Sequence, residues 1–335
     1  MRITAVFPQL QGPGGVQRFG RTMVAALTSV SAQNLRVLSL LDAPHSSAGL
    51  DVEGFAGSRF RLAREVARGC DLLICGHPNL APLSYLSRAK AVWVHAHGID
   101  VWRPLGRVRA SALRGATLVT GSSSDTVARV RSVQGRSGTT EVLHPCVEIP
   151  ATVSPKHGDY HLTVARLNVE DRDKGVDVLI EAMKRGPNLP LHVVGDGTDR
   201  ARLESIAGGD PRVRFLGRIN DSDLAQQFRD CRCFVLPSSK EGFGIVFAEA
   251  MAWGRPAIGV AVGGATDAIE NGITGVLLPA ANADAIAQAI VKIESDLAIY
   301  TKLRDGARQK SIADFSVGHF NRRVQDFLRS LGAAP

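Results

Sequence analysis

The sequence predicts an α/β protein built from two Rossmann-like domains, and three observations carry this prediction. The chain has 335 residues, which is more than one hydrophobic core usually serves. Short apolar strands alternate with helical segments along almost all of it, as in parallel sheets covered by helices. A polar stretch at residues 148–159, with two prolines and no apolar period, interrupts this alternation and predicts a linker.

Each half of the chain supplies its own series of strands, with amphipathic helices between them. In the first half the expected strands are residues 3–7, 35–41, 72–75, 91–94, 117–120 and 141–143. In the second half they are residues 161–164, 191–194, 213–216, 233–236, 257–260 and 275–278.

The expected domains are residues 1–152 and residues 157–315, followed by a terminal helix within residues 316–335. Ligands of open parallel sheets bind at the carboxyl ends of the strands. Two such domains joined by one linker are therefore expected to face each other across a cleft that holds the ligand.

Composition narrows the class of protein. An apolar content of 44% with 21% charged residues is ordinary for a soluble globular chain. No window approaches the roughly 18 apolar residues that span a bilayer, and the first residues are too short and strand-like for a secretory signal, so we expect a cytoplasmic protein. The five cysteines are odd in number and lack a C-x-x-C pair, which predicts buried free thiols and neither a zinc site nor a disulfide framework.

The net charge of +8 lies entirely in the first half. Residues 1–155 carry 17 basic and 9 acidic side chains, whereas residues 156–335 carry 23 of each. A basic half predicts a phosphate-bearing partner, and a solvated arginine-rich surface is an equal alternative from charge alone. Because aromatics are only 5% and never interleave with basic residues, nucleic acid is the weakest of the possible partners.

The most informative stretch is a strand, a glycine-rich turn and a helix at residues 234–254. The turn at residues 242–244 precedes the helix, so unpaired amide groups and the positive end of the helix dipole are available to a phosphate. Glu241 and Glu249 bracket the turn. Their oxygens flank an anion site, as a sugar attached to a nucleoside diphosphate requires.

Two cations follow the first strand of the same domain. Arg166 comes directly after that strand, and Lys174 opens the next helix after a charged loop. A guanidinium fork and an ammonium can together neutralise a diphosphate. Taken alone this pair is better interpreted as surface charge, but the glutamates and the glycine turn of the same domain favour a binding site.

The first domain has a glycine loop that excludes one class of enzyme. In GPGGVQ, Gln17 stands where a dinucleotide fingerprint needs its third glycine, which disfavours hydride transfer. The overlapping GVQRFGRT has Arg21 where a P-loop needs lysine. Gly14 and Gly15 remain as positions where backbone can approach a ligand closely, with Arg18 and Arg21 expected to project from the first helical turns.

Together these motifs resemble retaining glycosyltransferases with the GT-B fold, especially glycosyltransferase family 4 (group 1). The signature is KEGFG at residues 240–244, EAMA at 249–252 and GRP at 254–256. The likeness covers nearly the whole chain. Further matching positions are Arg166, Lys174, residues 217–218, 263–264 and 271–275, and in the first domain residues 14–15 and 97–100.

The resemblance implies a donor site that needs neither metal nor another cofactor. Glu249 would bind the ribose hydroxyls, and Glu241 a hydroxyl of the donor sugar. The groups that would hold the diphosphate are Arg166, Lys174 and the amides of Gly242, Phe243 and Gly244.

The resemblance also places other residues around the donor. Arg218 would lie at the loop that contacts the base, and Gly15 would approach the donor phosphate from the first domain. His97 would sit near the transferred sugar and the acceptor, which makes His97, Glu241, Arg166 and Lys174 the candidate catalytic groups. His95 is a weaker candidate, and a core histidine is the alternative interpretation for both histidines.

The expected activity is therefore transfer of a hexose with retained anomeric configuration. Front-face displacement, in which the leaving phosphate oxygen accepts the acceptor's proton, is favoured over Glu241 acting as a nucleophile. The long loop between Arg166 and Lys174 resembles mannosyltransferases of polysaccharide assembly and favours GDP-mannose, with a UDP-sugar as the other option. Thr266 and Asp267 depart from the usual family residues, so no donor contact is assigned to them.

Acceptor and location follow from the basic first domain. Eight arginines, at positions 59, 61, 64, 68, 103, 107, 109 and 114, are expected to favour an anionic membrane surface carrying a glycan or polyprenyl-pyrophosphate-linked acceptor. This predicts a peripheral protein on the inner face of the plasma membrane, with a soluble acceptor as the alternative. Ser123 and Thr126 match a family pair but equally suit capping of the next helix.

Three other functions use similar features. A GT-B-shaped sugar-nucleotide epimerase or a glycogen-type phosphorylase would use the same fold, although the lysine environment of a phosphorylase cofactor is not found in the sequence. A non-catalytic protein that binds nucleotide sugar or nucleic acid is the third. In the enzymes that this chain resembles, the terminal helix packs back on the N-terminal domain, and we expect the same here.

Overall fold

The structure, a computed structural model, describes residues 1–12, 14–153 and 158–333. It divides into two compact units, Met1–Cys146 with Val317–Pro335, and Val147–Ser316. Each unit is an α/β domain around its own sheet. The centre of the predicted linker, residues 154–157, lies outside the described residues.

The first domain contains one mostly parallel sheet. Its described strands are β1 (Ile3–Phe7), β2 (Leu35–Ser39), β3 (His45–Ser47), β4 (Leu50–Gly54), β5 (Leu72–Cys75), β6 (Ala91–Ala96), β7 (Leu118–Gly121) and β8 (Thr140–Val142). They are ordered β3-β4-β2-β1-β5-β6-β7-β8, and β3 pairs antiparallel with β4. The order reverses between β1 and β5, where Rossmann-like sheets bind ligands.

Helices connect these strands. They are α1 (Gly15–Ser31), α2 (Arg59–Val66), α3 (Ser84–Ser87), α4 (Arg107–Gly115) and α5 (Ser124–Ser132), with 3₁₀ turns at Ala32–Asn34 and Pro78–Leu83. The predicted strands are confirmed with ends shifted by a few residues, but the β3–β4 hairpin was not predicted. Its sequence is polar, and its turn uses Ala48 and Gly49, both with positive φ, instead of the usual asparagine or aspartate before glycine.

The second domain contains a parallel sheet. Its described strands are β9 (His161–Val164), β10 (Leu191–Val194), β11 (Val213–Gly217), β12 (Cys233–Leu236), β13 (Ala257–Val260) and β14 (Gly275–Leu278), in the order β11-β10-β9-β12-β13-β14. Its helices are α6 (Val176–Met183), α7 (Arg200–Ala207), α8 (Asp221–Asp230), α9 (Ile245–Ala252), α10 (Ala265–Ala268), α11 (Ala283–Ser295) and α12 (Leu297–Phe315). The strands predicted for this half are confirmed, and their order reverses between β9 and β12.

Apolar residues cover both faces of this sheet, which explains why β12 is buried along its whole length. On one face, α6, α11 and α12 contribute Leu179, Ile290 and Leu303 to one core cluster. On the other, α9 contributes Phe247 and Met251 to a second cluster. The helix that follows the glycine turn is thus fixed in the core, so the turn at its start has a defined position.

The last helix, α13 (Val317–Ser330), belongs to the first domain. Its buried residues include Phe320, whose ring meets Phe19 at 5.7 Å, and Phe327, whose ring meets Trp93 at 5.5 Å. The terminal helix therefore completes the core of the N-terminal domain.

The second domain begins earlier than expected. Residues 147–152 were predicted in the first domain, but Val147 packs in a core cluster of the second, and its N–H donates to the Phe315 carbonyl oxygen at 2.8 Å. The polar, proline-containing stretch that predicted a linker begins directly after Val147, so its composition does not reveal this contact. The boundary therefore falls at residue 147 instead of residue 157.

Two expectations from composition can be compared with the structure. All five cysteines are free and buried, as predicted. None of the described helices combines the length and the apolar content that crossing a membrane requires.

Candidate active site

The strand order of the second domain brings the predicted donor-site residues to one place. Arg166 and Lys174 follow β9, and Glu241 follows β12, on the two strands between which the order reverses. Lys174 Nζ donates to Glu241 Oε2 at 3.0 Å, and the two side chains are 22% and 11% exposed. Two residues predicted to bind the same ligand are therefore in direct contact.

The glycine turn before α9 leaves the start of that helix without a side-chain cap. Gly244 precedes the helix with φ of 80°. A Cβ atom at this position would lie 2.4 Å from the Phe247 ring, so only glycine fits. Phe243 is buried, with its ring edge-on to Phe315 at 5.3 Å. The amide groups of the turn and the helix dipole can therefore serve an anion.

A second glycine pair supports this turn. The N–H of Gly264 donates to the Glu241 carbonyl oxygen at 2.9 Å. A Cβ atom at Gly263 would lie 2.0 Å from that same oxygen, and one at Gly264 would lie 2.2 Å from the Gly242 carbonyl oxygen. Glycines at these positions allow the loop after β13 to lie directly against the turn, which explains this part of the family pattern.

Arg166 is held by its own loop. Its side chain is 77% exposed, and its guanidinium pairs with Asp171 at 2.6 Å. Asp171 also accepts a hydrogen bond from Asn168 at 2.9 Å. The segment predicted as a charged loop forms a 3₁₀ helix at Val169–Lys174, followed by Gly175. Sequence reasoning thus located Arg166 but did not find the carboxylate that orients it.

Sequence reasoning also missed the loop after β10. Asp199 is buried and accepts hydrogen bonds from Arg172 and Arg202, whose guanidinium groups hold its pKa well below the usual range. Its N–H donates to the Leu167 carbonyl oxygen at 2.7 Å, and a Cβ atom at Gly197 would lie 2.3 Å from the Leu167 carbonyl carbon. The loops after β9 and β10 are therefore one hydrogen-bonded unit, and the two glycines of VGDG were the available signal.

Two further predicted residues lie elsewhere on this domain. Arg218 is exposed after β11, two strands from β9, and its side chain makes no hydrogen bond or ion pair with any residue that the structure describes. Glu249 lies half-buried in α9. Parallel strands place Arg218 at the same sheet edge as Arg166.

In the first domain, His97 follows β6 and is fixed by hydrogen bonds. Its Nε2 lies 2.8 Å from the Gly76 carbonyl oxygen, which requires a proton on Nε2. The Asp100 carboxylate accepts the N–H groups of His97 and Gly98. Burial lowers the pKa of His97, and Asp100 offsets part of that shift, so the ring is neutral at pH 7.

His95 is a core histidine. Trp93 Nε1 donates to Thr120 Oγ1 at 2.9 Å, and that hydroxyl lies 2.9 Å from His95 Nδ1. On the other side His95 Nε2 lies 3.1 Å from Ser122 Oγ, which donates to the Ala96 carbonyl oxygen. Every partner is satisfied when His95 is neutral with its proton on Nε2, and burial lowers its pKa well below the usual value.

His77 is a neighbour that sequence reasoning missed. It follows β5 at the point where the strand order reverses, and its ring centroid lies 5.8 Å from that of His97. Its Nδ1 accepts the Asn79 N–H at 3.0 Å, and its Nε2 lies 3.7 Å from Asp100. Burial lowers its pKa. Its place after an apolar strand was the available signal.

The glycine loop after β1 is open at one position. A Cβ atom at Gly15 would meet no heavy atom of the described residues within 4 Å, so among these residues nothing covers this position of α1. Gly14 has φ of 130°. Arg21 lies in α1 and is exposed, and its guanidinium donates to the carbonyl oxygens of Leu10 and Gly12 at 2.7 and 3.1 Å.

Ser123 and Thr126 have a structural explanation. Ser123 Oγ accepts the Thr126 N–H at 3.2 Å and caps α5, and both side chains are buried. The capping interpretation therefore accounts for this pair.

Comparison with known proteins identifies the family of the second domain. Residues 148–310 match the family model of the group 1 glycosyl transferases. This part of the chain belongs to the group 1 glycosyltransferases. The match spans the second domain, with Arg166, Lys174 and Glu241, and confirms the expected membership of group 1; assignment to family 4 stays a prediction.

Relatives extend beyond that domain. A relative from Mycobacterium tuberculosis, named GDP-mannose-dependent alpha-(1-6)-phosphatidylinositol monomannoside mannosyltransferase, is 29% identical over 283 residues, which is 76% of this chain and 74% of that protein. A lipopolysaccharide core biosynthesis glycosyltransferase of Rhizobium meliloti is 32% identical over 146 residues, 43% of this chain and 42% of that protein.

Solved structures confirm the predicted GT-B fold. Anabaena Alr3699/HepE, in complex with UDP and glucose, is similar with a TM-score of 0.82 at 21% identity, over 98% of this chain and 100% of that one. Sucrose-phosphate synthase of Thermosynechococcus elongatus has a TM-score of 0.79 at 22% identity, over 99% and 100% of the two chains. At these identities the likeness shows the fold.

Proposed function

We propose that this protein is a retaining glycosyltransferase that moves a hexose from a nucleoside-diphosphate sugar to a glycan or lipid-linked acceptor. The observation that carries the proposal is the contact of Lys174 with Glu241 beside the uncapped start of α9. A cation, a carboxylate and a glycine turn before a helix meet where the strand order reverses. The match of residues 148–310 to the group 1 glycosyltransferases supports this interpretation.

The chemistry needs stabilisation of the departing diphosphate. Lys174, Arg166 and the amides of residues 242–244 supply positive charge that is fixed before the reaction, which is the largest contribution such a site can make. We propose that this arrangement replaces a metal ion. The leaving phosphate oxygen then accepts the proton of the acceptor hydroxyl, and Glu241 holds a hydroxyl of the sugar.

We assign His97 to the transferred sugar or the acceptor. Because its Nε2 proton is committed to the Gly76 carbonyl oxygen, Nδ1 is the atom that can accept a hydrogen bond from a substrate hydroxyl. A neutral imidazole at pH 7 suits this orienting role better than that of a general acid. Glu249 binds the ribose, Arg218 the base, and Gly14 and Gly15 allow close approach of backbone.

GDP-mannose is the donor that we favour. The length of the loop between Arg166 and Lys174 suggests it, and the relative of Mycobacterium tuberculosis is named as GDP-mannose-dependent. A UDP-sugar is the second candidate, because Alr3699/HepE is described with UDP and glucose.

Thermal shift with GDP, UDP and ADP tests the donor class. Ligand at 100 times its Kd stabilises by about 2.7 kcal/mol, which is roughly 5–10 °C for a domain of this size. We expect one diphosphate to raise Tm in the presence of EDTA. Indifference to all three would contradict the proposed function.

Turnover separates the alternatives. A transferase releases GDP or UDP from the donor only as an acceptor is glycosylated, and NMR of the product reports the anomeric configuration. An epimerase changes the sugar while it remains attached to the nucleotide. A non-catalytic binding protein shows binding without either change.

The acceptor proposal rests on α2 and the residues around it. Arg59, Arg61, Arg64 and Arg68 are exposed, and Phe60 between them is 79% exposed. An apolar ring among cations suits the interface of an anionic membrane. We therefore propose peripheral association with the inner face of the plasma membrane. On and around α4, the guanidinium groups of Arg109 and Arg114 donate hydrogen bonds to the Asn79 side chain and to the Gln134 carbonyl oxygen.

Sedimentation with vesicles tests this surface. Binding to phosphatidylglycerol vesicles is expected to exceed binding to phosphatidylcholine vesicles. The double variant Arg61→Gln/Arg64→Gln should lose about 2 kcal/mol, or roughly 30-fold in affinity, at about 1 kcal/mol per basic residue. Arg322→Gln, exposed on α13, is the control. Equal binding to both vesicles would favour a soluble acceptor.

A further inference from the structure

Lys174 and Glu241 form a closed pair in the candidate donor site. Among the residues that the structure describes, the Lys174 ammonium has the Glu241 carboxylate as its partner, and the Glu241 side chain has Lys174 as its own. Both groups are mostly buried. The pair therefore places a negative charge next to the cation that a diphosphate needs.

The backbone on both sides fixes this pair. Glu241 cannot move away freely, because its carbonyl oxygen accepts the Gly264 N–H and Gly263 packs against the same oxygen. On the other side, a Cβ atom at Gly175 would lie 2.6 Å from the Pro237 carbonyl oxygen, and the Ser239 N–H donates to the Asp173 carbonyl oxygen at 2.7 Å. These backbone contacts therefore hold the Glu241 carboxylate and the Lys174 ammonium next to each other.

We propose that Glu241 acts as an internal counterion of Lys174 and so selects the sugar-bearing nucleotide over the bare nucleoside diphosphate. This inference rests on the proposed function. In this role Glu241 determines which nucleotide binds, and it also promotes release of the nucleoside diphosphate product.

A bare diphosphate meets a penalty at this site. When its oxygens take Lys174, the Glu241 carboxylate loses its partner and faces another anion at short range. Charges that are largely removed from water interact more strongly than exposed ones, and a buried charge without a partner is strongly destabilising. Glu241 therefore weakens binding of the product.

The sugar of the donor removes that penalty. A sugar hydroxyl donates a hydrogen bond to the Glu241 carboxylate while the diphosphate takes Lys174, so both charges keep a partner. After transfer the hydroxyl leaves with the acceptor. Glu241 then returns to Lys174, which favours release of the nucleoside diphosphate.

Isothermal titration calorimetry with Glu241→Gln tests this role. The probes are GDP and GDP-mannose, or UDP and UDP-glucose if the thermal shift selects uridine, without acceptor and with EDTA. Removing the charge while keeping the shape should tighten binding of the bare diphosphate by about ten-fold, the effect of 1.4 kcal/mol. The sugar nucleotide should bind no more tightly, because a charge-assisted hydrogen bond becomes a neutral one.

The control is Glu181→Gln, which removes an exposed carboxylate that pairs with Lys184 at 2.8 Å in the same domain. It should leave both Kd values unchanged. Glu241→Ala removes the same charge as Glu241→Gln and should also tighten binding of the diphosphate. If one variant fails to fold, the other still tests the inference. In turnover assays, product inhibition by the diphosphate should become about ten-fold stronger.

Two results would overturn the inference in distinguishable ways. If the natural protein binds both probes but Glu241→Gln binds the diphosphate equally or more weakly, Glu241 is not the counterion and the proposed function stands. If the natural protein binds no nucleoside diphosphate and no sugar nucleotide, the proposed function fails and the inference fails with it.

Discussion

Glu249 and Glu241 are expected to act on different parts of one donor. Glu249→Ala removes a charged acceptor for the ribose and should weaken nucleotide binding by about 1.5–3 kcal/mol, roughly 10- to 100-fold. Glu241→Ala should chiefly lower kcat, because its hydroxyl contact positions the sugar. Calorimetry with the sugar nucleotide and steady-state kinetics measure the two effects, and the reverse pattern would show that the roles are exchanged.

Buried histidines should make stability depend on pH. Burial lowers the pKa of His77, His95, His97 and His192 below the ordinary value of 6.5. As pH falls through 6.5, the unfolded chain binds protons that the native chain does not, so stability is full above that pH and declines below it. Each such histidine contributes a slope of up to about 1.4 kcal/mol per pH unit.

Melting curves between pH 7.5 and 5.5 measure this decline. His95→Gln removes the core histidine, whose pKa burial lowers well below the usual value, and should make the slope shallower. His45→Gln, in the partly exposed strand β3, is the control for removal of a histidine outside the core. A Tm that does not change over this range would contradict the expectation.

At the scale of residues, sequence reasoning found the charges of the site but not their partners. Lys174 and Glu241 were both predicted, because their chemistry is visible in the sequence, and they prove to be in contact. His77 and Asp199 were missed, because a histidine and an aspartate in loops acquire importance only through the fold. Pairing across 67 positions in the chain is not a local signal.

The loop after β13 supports the glycine turn, and adding one carbon atom at Gly264 tests this contact. Gly264→Ala would place Cβ 2.2 Å from the Gly242 carbonyl oxygen and should force the turn away from the loop. We expect a loss of about 1–3 kcal/mol in the free energy of unfolding, together with weaker diphosphate binding. Urea denaturation and calorimetry measure the two.

A glycine in open space provides the comparison. A Cβ atom at Gly115, at the end of α4, would meet no heavy atom within 4 Å. Gly115→Ala should therefore stay within about 0.5 kcal/mol of the natural protein. Equal effects of the two substitutions would mean that the close approach at Gly264 does not determine the turn.

The Asp199 carboxylate links the loops after β9 and β10, and a single substitution can remove it. Asp199→Asn takes away the carboxylate that Arg172 and Arg202 share and should lower stability by about 1.5–3 kcal/mol. Because the pKa of Asp199 is depressed, this contribution is present above the ordinary aspartate pKa and lost as pH falls below it. The difference between variant and natural protein in urea should therefore shrink at acid pH.

At the scale of elements, periodicity predicted most strands and helices because apolar runs decide them. The β3–β4 hairpin was missed, since its residues are polar and its turn residues are unusual. The short helix α10 was missed as well, because four residues carry no period.

At the scale of the whole molecule, the last helix should be indispensable to the first domain. Deleting residues 317–335 removes Phe320, Val324, Phe327 and Leu328 from its core, each worth about 1.5–3 kcal/mol. We expect limited proteolysis to cut residues 1–146 of the truncated chain while residues 147–316 resist. Phe327→Ala should destabilise the first domain by about 3–5 kcal/mol, and Arg322→Ala should have little effect.

The two-domain architecture was predictable because the chain contains two series of alternating strands and helices, separated by a polar stretch. The boundary was not, because Val147 directly precedes the polar stretch and its packing against the second domain is not a local signal. Membership of α13 in the first domain came from the family resemblance, since an amphipathic period shows which face is buried but not against what.

The return of α13 to the first domain also sets an order of events during synthesis. Residues 147–316 contain all of the second domain and leave the ribosome before α13 does. The core of the first domain includes residues of α13, which is synthesised after the second domain. The second domain can therefore complete its fold before α13 has been made, and we expect the first domain to complete its core only after α13 has been made.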